Sequence, residues 1–261
     1  MNQDRPKHRA KKSLGQNFLK DQNICRRIVD AIDPRPEDYI IEIGPGRGAI
    51  TRFIVEGEPA RFTVLEMDDV LAERLDEDYP QLEVIRTDAL KFDWESLNKE
   101  KQCKIAGNLP YNVGSKLIWD IVSRVKTLER AVFMVQHEVA LRLTAEPGNK
   151  AYGGLTAWVK NFAETKYMFK VPPTVFRPQP KVDSAIIRFK PLPVEEWPEN
   201  PEALSRLIKM LFQKRRKQLS TILKQFWSSE MADWFEREGI SPKARPENLT
   251  PAQFLELSKY I

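Results

Sequence analysis

A short polar and aromatic corner, Asn108-Leu109-Pro110-Tyr111, directly follows the apolar stretch Ile105-Ala106-Gly107. The side-chain oxygen of Asn108 and the carbonyl of Leu109 can accept the two hydrogens of an amine. Pro110 fixes the backbone and has no N–H of its own, and Tyr111 can stack on a flat ring. The corner therefore has the groups needed to methylate a conjugated nucleobase amine. An ordinary turn at the end of a strand is the alternative, because Asn and Pro are common turn residues.

Upstream of this corner, the β-prone run Tyr39-Ile40-Ile41-Glu42-Ile43 ends in a glycine-rich turn, Gly44-Pro45-Gly46-Arg47-Gly48. We expect the turn to open a helix, because glycines let a backbone approach a ligand closely at a helix N-terminus. A nicotinamide fingerprint has the spacing G-x-G-x-x-G, whereas here the third glycine comes one position early and Ala49 follows it. The spacing favours S-adenosylmethionine, with Gly44 and Gly46 as contacts. A tight strand-to-helix turn without a ligand is the alternative.

Two carboxylates follow the next two predicted strands. Glu66 ends the run Phe62-Thr63-Val64-Leu65, about twenty residues past the glycine turn, where a Rossmann-like site places an acid on ribose hydroxyls. Asp88 follows Leu82-Glu83-Val84-Ile85 and could accept a hydrogen bond from the adenine amine of the cofactor. Either acid alone could be a solvated loop carboxylate. Their order along the chain, with the glycine turn before and the corner after, predicts a site at the carboxyl ends of parallel strands.

The alternation of apolar runs and helical stretches predicts an α/β fold with a parallel sheet covered by helices on both faces. The predicted strands are 39–43, 62–66, 82–86, 103–107, 131–136, 166–171 and 183–189. A stretch with few apolar residues contains Pro191, Pro193, Pro198 and Pro201 and indicates a linker. We therefore expect one domain over residues 1–193 and a second over 199–261. The length of 261 residues also favours two domains.

The second domain is expected to be a small, all-helical unit, because its apolar residues recur at intervals of three and four. They are Leu204, Leu207, Ile208, Leu211, Phe212, Leu219, Ile222, Leu223 and Phe226. At 100° per residue Arg215 falls within this apolar stripe, so either the helix breaks near Lys214-Arg215-Arg216-Lys217 or Arg215 is buried with a partner. We favour a break, which would present Lys214, Arg215, Arg216 and Lys217 to RNA phosphates. A solvated surface run is the alternative.

Four segments together resemble the KsgA (RsmA) family of ribosomal RNA adenine dimethyltransferases. They are Lys12 to Leu19 (KSLGQNFL), the glycine turn, the Asn108 to Tyr111 corner, and Phe176 to Ala185 (FRPQPKVDSA). A stretch near the C-terminus, Gly239 to Leu249, is similar to the last motif of the family. The string Pro180-Lys181-Val182-Asp183-Ser184 and this last motif resemble KsgA rather than the related Erm enzymes.

The resemblance implies a Rossmann-like, class I methyltransferase domain that uses S-adenosylmethionine. It also implies that Asn17 and Leu19, within an N-terminal segment of residues 1–20, close over the cofactor. Helix capping around Asp21 to Asn23 is another explanation for that polar cluster. Phe176, from the F-x-P-x-P motif, is expected to stack on the target base opposite Tyr111. The implied substrate is 16S rRNA in the assembling 30S subunit, where two adjacent adenosines of the 3′-terminal hairpin each receive two methyl groups.

The bulk properties agree with an intracellular RNA enzyme. The formal charge is +5 and the pI near 9.1, with 42 basic and 37 acidic residues, so local patches matter more than the total. Cys25 and Cys103 form no C-x-x-C pair, and His8 and His137 have no triad or ligand spacing, so no disulfide, metal or catalytic histidine is expected. No apolar run reaches the eighteen or so residues of a membrane span, and we expect a cytoplasmic monomer.

Two rival functions stay open on the sequence alone. One is an Erm-like enzyme that methylates 23S rRNA. The other is a non-catalytic assembly or transcription factor that uses the fold for RNA binding, although the set Gly44, Glu66, Asp88 and Asn108 argues for catalysis. A cytosine-C5 methyltransferase is less attractive, because that chemistry needs a nucleophilic cysteine and Cys103 lies in no suitable motif.

Overall fold

The computed structural model describes residues 10–11 and 15–261. His8 and the first part of the N-terminal motif, Lys12 to Leu14, lie outside the described residues. The chain forms two compact units, the first made of the described residues up to Ala140 together with Thr165–Pro191. The second contains Leu141–Glu164 and Leu192–Ile261. The predicted domain limits, 1–193 and 199–261, stay a prediction, and the second compact unit also takes in a segment from the middle of the chain.

A seven-stranded sheet forms the centre of the first unit, and all seven predicted strands are present. In chain order the strands among the described residues are β1 (Phe18–Leu19), β2 (Tyr39–Ile43), β3 (Arg61–Glu66), β4 (Glu83–Arg86), β5 (Cys103–Asn108), β6 (Leu128–Gln136), β7 (Ala163–Val171), β8 (Phe176–Arg177) and β9 (Ser184–Pro191). The sheet order is β4-β3-β2-β5-β6-β9-β7, while β1 and β8 pair separately. Strands β2 to β6 are parallel, and β9 is antiparallel to β6. The carboxyl ends of β2 to β5 therefore meet at one edge.

Both faces of the sheet are covered, as the sequence predicts. Ile40 and Ile41 are adjacent in β2, point to opposite faces, and are both fully buried. The helices of this part of the chain are α1 (Gln22–Ile32), α2 (Thr51–Val55), α3 (Asp69–Asp78), α4 (Gly114–Arg124) and α5 (His137–Leu143). Asp21 caps α1 by accepting hydrogen bonds from the backbone N–H groups of Asn23 and Ile24, so the capping given above as the alternative explanation for this polar cluster is present.

The glycine turn connects β2 to α2 through three left-handed residues. Gly44, Gly46 and Gly48 have φ values of +62°, +60° and +73°, a conformation that L side chains rarely adopt. The helix begins at Thr51, only a few residues after the turn, as expected. The backbone of the turn thus lies at the carboxyl edge of the sheet, and Gly44 and Gly46 add no side chains of their own there.

The second unit is mainly helical and contains α6 (Gly154–Val159), α7 (Pro201–Gln213), α8 (Leu219–Ile222), α9 (Ser229–Arg237) and α10 (Pro251–Leu257). The apolar positions of α7 are buried, with Leu204, Leu207 and Leu211 fully inaccessible. The proline-rich stretch is folded: the Trp197 indole donates to the carbonyl of Leu192 at 3.0 Å. Among the described residues, no helix has both the length and the apolar character needed to cross a bilayer.

The break predicted after α7 is present, because the helix ends at Gln213 and α8 begins at Leu219. Arg215 also has partners: its guanidinium donates to the carbonyl of Lys150 at 2.6 Å and lies 3.6 Å from the Glu247 carboxylate. The favoured break is therefore confirmed, whereas Arg215 has partners without being buried. Lys214, Arg216 and Lys217 are exposed, whereas Arg215 is half-buried.

Candidate functional site

A cavity of about 300 Å³ opens at the carboxyl edge of β2, β3, β4 and β5 in the first unit. The sequence-predicted residues on its wall are Asn17, Leu19, Gly44, Gly46, Glu66, Asp88, Asn108, Leu109, Pro110 and Tyr111. Phe176 is the exception within this unit: it is 3% exposed, packs in the hydrophobic core, and is not among the cavity-lining residues. The basic residues 214–217 belong to the second unit.

Glu66 connects the end of β3 to the glycine turn. One carboxylate oxygen accepts the N–H of Gly46 at 3.0 Å and the other accepts the N–H of Asp68 at 2.9 Å. Burial raises the pKa of Glu66, and the backbone N–H groups of Asp68 and Gly46 oppose that rise. A carboxylate oxygen can accept more than one hydrogen bond, so Glu66, which lines the cavity, can still accept hydroxyl groups.

Asp88 lies just after β4, and its carboxylate accepts the N–H of Leu90 at 2.9 Å. Between Glu66 and Asp88 the wall is apolar, with Met67, Leu65 and Leu90 on the cavity. Met67 is 47% exposed, which is unusual for so large an apolar side chain and leaves a flat thioether surface for a ring.

The Asn108 corner is held on three sides. The Asn108 amide nitrogen donates to the Asn17 carbonyl at 3.1 Å, and the Leu109 N–H donates to the Met134 carbonyl of β6 at 3.1 Å. The Pro110 carbonyl accepts the N–H groups of Val113 and Gly114, where α4 begins. Within the described residues, no donor contacts the side-chain oxygen of Asn108 or the carbonyl of Leu109. Two acceptors are therefore available side by side.

Tyr111 completes the corner with a half-buried ring on the cavity wall. Its hydroxyl lies 2.8 Å from the hydroxyl of Ser184, the first residue of β9. Burial raises the pKa of Tyr111, and the hydrogen bond to Ser184 opposes that rise. The ring is consequently fixed at both its backbone and its hydroxyl end.

The segment from Gly15 to Leu19 covers the cavity. A Cβ on Gly46 would lie 3.1 Å from the Phe18 ring, so this aromatic side chain rests on the glycine turn, and the Arg47 guanidinium lies 4.4 Å from the ring centroid. β1 pairs with β8 through Phe18 with Arg177 and Leu19 with Phe176. The part of the predicted covering segment that the structure describes therefore lines the site.

Sequence reasoning missed Asp68, which anchors this covering segment. Asp68 is 1% exposed, accepts the Gln16 amide at 3.1 Å, and forms an ion pair with Lys11 at 3.0 Å. It also accepts the N–H of Val70 and so caps α3. The capping position before a helical stretch was readable in the sequence, whereas the contacts to Lys11 and Gln16 depend on the tertiary fold.

Glu42 is a second missed residue, although a carboxylate inside the apolar run of β2 is a visible signal. It lines the cavity, is 2% exposed, and accepts a hydrogen bond from the Thr51 hydroxyl at 2.7 Å. Burial raises the pKa of Glu42 from 4.5 to about 8, opposed by the Thr51 hydrogen bond and reinforced by Glu66. Glu42 is thus largely protonated at neutral pH.

The two cysteines are buried, and both thiols are protonated at neutral pH. Burial raises the pKa of Cys25 to about 11 and that of Cys103 to about 12. Among the described residues, no group of three or more His, Cys, Asp or Glu side chains could hold a metal ion. The chemistry assembled at the cavity consists of hydrogen-bond acceptors, an aromatic face and a glycine-lined recess.

Comparisons with known proteins agree with this arrangement. The model of the family described as ribosomal RNA adenine dimethylase matches residues 7–261. A ribosomal RNA small subunit methyltransferase A from Maridesulfovibrio salexigens is 54% identical over 255 residues, covering 98% of this chain and 97% of the relative.

Two crystal structures share the fold over nearly the whole chain. One, of a dimethyladenosine transferase from Plasmodium falciparum, has a TM-score of 0.78 and 26% identity, covering 93% of this chain and 98% of that one. The other, of the 23S rRNA methyltransferase ErmE, has a TM-score of 0.71 and 25% identity, with coverage of 94% and 99%. Family model, relative and cavity agree, and the chain belongs to the ribosomal RNA adenine dimethylase family, which uses S-adenosylmethionine as methyl donor.

Proposed function

We propose that this protein dimethylates the exocyclic amines of two adjacent adenosines in the 3′-terminal hairpin of small-subunit (16S) rRNA. The observation that carries the proposal is the pair of available acceptors, the Asn108 side-chain oxygen and the Leu109 carbonyl, on the wall of a glycine-lined cavity. The name of the relative that is 54% identical supports the small subunit as the substrate. ErmE, at 25% identity, is more distant, so the large-subunit alternative has less support.

The residues of the cavity fit S-adenosylmethionine, which when bound supplies a methyl group already activated by a sulfonium charge. Gly44 and Gly46 add no side chains of their own to the recess, and their left-handed φ values disfavour any larger residue at either position. Glu66 would accept the ribose hydroxyls and Asp88 the adenine amine, on the evidence of their positions at the ends of β3 and β4. Asn17 and Leu19 would cover the cofactor from the N-terminal segment.

At the corner, the chain has to orient a poor nucleophile. The lone pair of an adenine amine is conjugated with the ring, and two acceptors that hold its hydrogens direct the lone pair out of the plane. Asn108 is fixed for this task by its donation to Asn17, which leaves its oxygen as the remaining acceptor. Transfer needs alignment more than a base, and the amine proton becomes acidic once the new bond has formed and can leave to water.

The target base has to leave its stack, which costs a few kcal/mol. Stacking on an aromatic side chain is worth about 1–3 kcal/mol per base, so Tyr111 can offset much of this cost. A second stacking contact from Phe176 stays a prediction. Because Phe176 is buried in the core, stacking on a base in the cavity would require the β8 segment to move.

We further propose that the exposed cations Lys214, Arg216 and Lys217 bind RNA phosphates. Arg215 would contribute by holding this segment in place through its contacts to the Lys150 carbonyl and the Glu247 carboxylate. The protein would act as a monomer on the assembling 30S subunit, in the cytoplasm where that subunit forms.

The test is transfer of a labelled methyl group to ribosomal subunits from cells that lack this protein, followed by mass spectrometry of the RNA. Dimethyladenosine at two adjacent positions of the small-subunit RNA is the expected product. Label in the large subunit would support the Erm-like alternative instead. The variant Asn108→Ala should bind cofactor in a titration and transfer little label, whereas a wild-type protein that neither binds cofactor nor transfers label would refute catalysis.

A further inference from the structure

Tyr111 is attached to the fold by a contact that does not come from its own segment. It projects from the turn after β5, where the backbone is tied to β6 through the Leu109 N–H and the Met134 carbonyl. Its hydroxyl, however, lies 2.8 Å from Ser184 at the start of β9, on the opposite side of β6. The Tyr111 side chain therefore spans the end of β6.

Ser184 is a fixed point for this contact. It is fully buried and pairs with Gln136 in the antiparallel β6–β9 ladder. The preceding carbonyl, of Asp183, accepts the N–H of His137 at 2.9 Å, which holds β9 in register beyond the last strand pair. The hydroxyl oxygen of Ser184 is therefore fixed relative to β6. The corner is also fixed relative to β6, from the other side of that strand, through the bond of the Leu109 N–H to the Met134 carbonyl.

Among the described residues, Tyr111 has no other side-chain hydrogen bond and no contact with another aromatic ring. Tyr111 lies in a turn, where the side chain can choose between rotamers, and its ring is only half-buried. The hydrogen bond to Ser184 selects one rotamer and so fixes the plane of the ring. A base that stacks on this ring would be held at a defined height above the Asn108 and Leu109 acceptors.

We propose that Ser184 is a positioning residue that orients the Tyr111 ring for the target adenine. The proposal rests on the function proposed above, since it assumes that the corner receives the base. Ser184 itself touches neither base nor cofactor: it does not line the cavity, and its hydroxyl acts through Tyr111.

The experiment compares Ser184→Ala, Tyr111→Phe and the double variant in methyl transfer to unmethylated small subunits. A net hydrogen bond of about 0.5–1.5 kcal/mol corresponds to roughly a 2- to 10-fold effect. We expect each single variant to lower kcat by that factor, with the KM for cofactor unchanged, and the double variant to be no slower than either single one. Independent, multiplying losses would overturn the proposal, as would a Ser184→Ala rate equal to wild type.

A second readout does not require turnover. An RNA hairpin with 2-aminopurine at the target position should lose fluorescence on binding when the base stacks on Tyr111, and Ser184→Ala should quench it less. Ser123→Ala is a matched control, because it removes another serine hydroxyl bond, to the Trp119 carbonyl at 2.9 Å. Equal quenching by wild type and Ser184→Ala, or none by wild type, would overturn the positioning role. Quenching that depends on Ser184 in a protein that transfers no methyl group would refute only the proposed function.

Discussion

Glu42→Gln should change how the stability of the protein depends on pH. Glu42 is buried in β2 with one hydrogen-bond donor, Thr51, and burial raises the pKa of its carboxyl from 4.5 to about 8. The folded protein therefore keeps a proton that the unfolded chain releases above pH 4.5. Because the folded state binds more protons in this window, the free energy of unfolding falls as pH rises from about 4.5 to 8. Below 4.5 both states are protonated and the contribution is flat.

The size of the effect follows from the two pKa values. One pKa unit corresponds to about 1.4 kcal/mol, and between pH 6 and pH 8 Glu42 alone should cost the wild type roughly 2 kcal/mol of stability. Glutamine has the shape of the protonated carboxyl and can still accept from Thr51, so the variant should lose this dependence without losing the fold.

Urea unfolding at pH 6 and pH 8 measures the prediction for wild type and Glu42→Gln. The quantity of interest is the difference between the two proteins at each pH, since other groups titrate equally in both. The variant should gain roughly 2 kcal/mol on wild type between pH 6 and pH 8. Glu37→Gln removes an exposed carboxylate and controls for the change in net charge. Parallel pH profiles for wild type and Glu42→Gln would show that the Glu42 carboxyl is not held protonated by the fold.

Three further predictions concern the site and the RNA surface. Asp68→Ala removes the bonds to Lys11 and Gln16, so calorimetric titration should show about tenfold weaker cofactor binding. That change equals about 1.4 kcal/mol, close to the lower end of the range of about 1.5–3 kcal/mol for a hydrogen bond to a charged group. Unchanged affinity would show that these bonds of the covering segment do not contribute to cofactor binding. Phe176→Leu should keep cofactor affinity and lose most methyl transfer to RNA, and an unaltered turnover in a methyl-incorporation assay would remove the stacking role. Replacing Arg216 and Lys217 by Ala should weaken RNA binding and reduce the slope of log K against log salt by about one per lost phosphate contact. An unchanged slope would show that Arg216 and Lys217 are solvated surface residues that do not contact phosphates.

The inner strands β2, β3 and β5 could be predicted because they are buried on both sides and therefore appear as continuous apolar runs. The residues at which the strands begin were harder to predict. β6 begins at Leu128, three residues before the predicted start, because Glu129 and Arg130 interrupt the apolar run. Leu128 and Arg130 nevertheless pair with β5, and Glu129 lies at the register shift between them. The edge strand β7 likewise begins at Ala163. Polar residues at a strand end hide it from a reading that depends on hydrophobicity.

The cavity residues were predictable where a motif and a strand end coincide, as for Glu66, Asp88 and the Asn108 corner. Contacts that depend on distant segments were not. The β1–β8 pair has only two residues in each strand, too short for any periodicity, and Asp68 meets Gln16 across 52 positions of sequence. Phe176 shows the reverse problem: its motif indicates a function, whereas its burial follows from the packing of β8 on β1.

The two-stranded pair formed by β1 and β8 also affects how the enzyme can exchange its cofactor between methyl transfers. If each of two adenosines receives two methyl groups, spent cofactor has to be replaced repeatedly beside the same RNA. Only two residue pairs join β1 to β8, and neither strand belongs to the seven-stranded sheet. Opening of this covering segment would break these pairs together with the bonds of Asp68 to Lys11 and Gln16 and the bond of Asn108 to Asn17. The orientation of Asn108 would therefore have to be restored by closure of the segment before each transfer, whereas the contacts of Glu66 to Gly46 and Asp68 do not involve the segment.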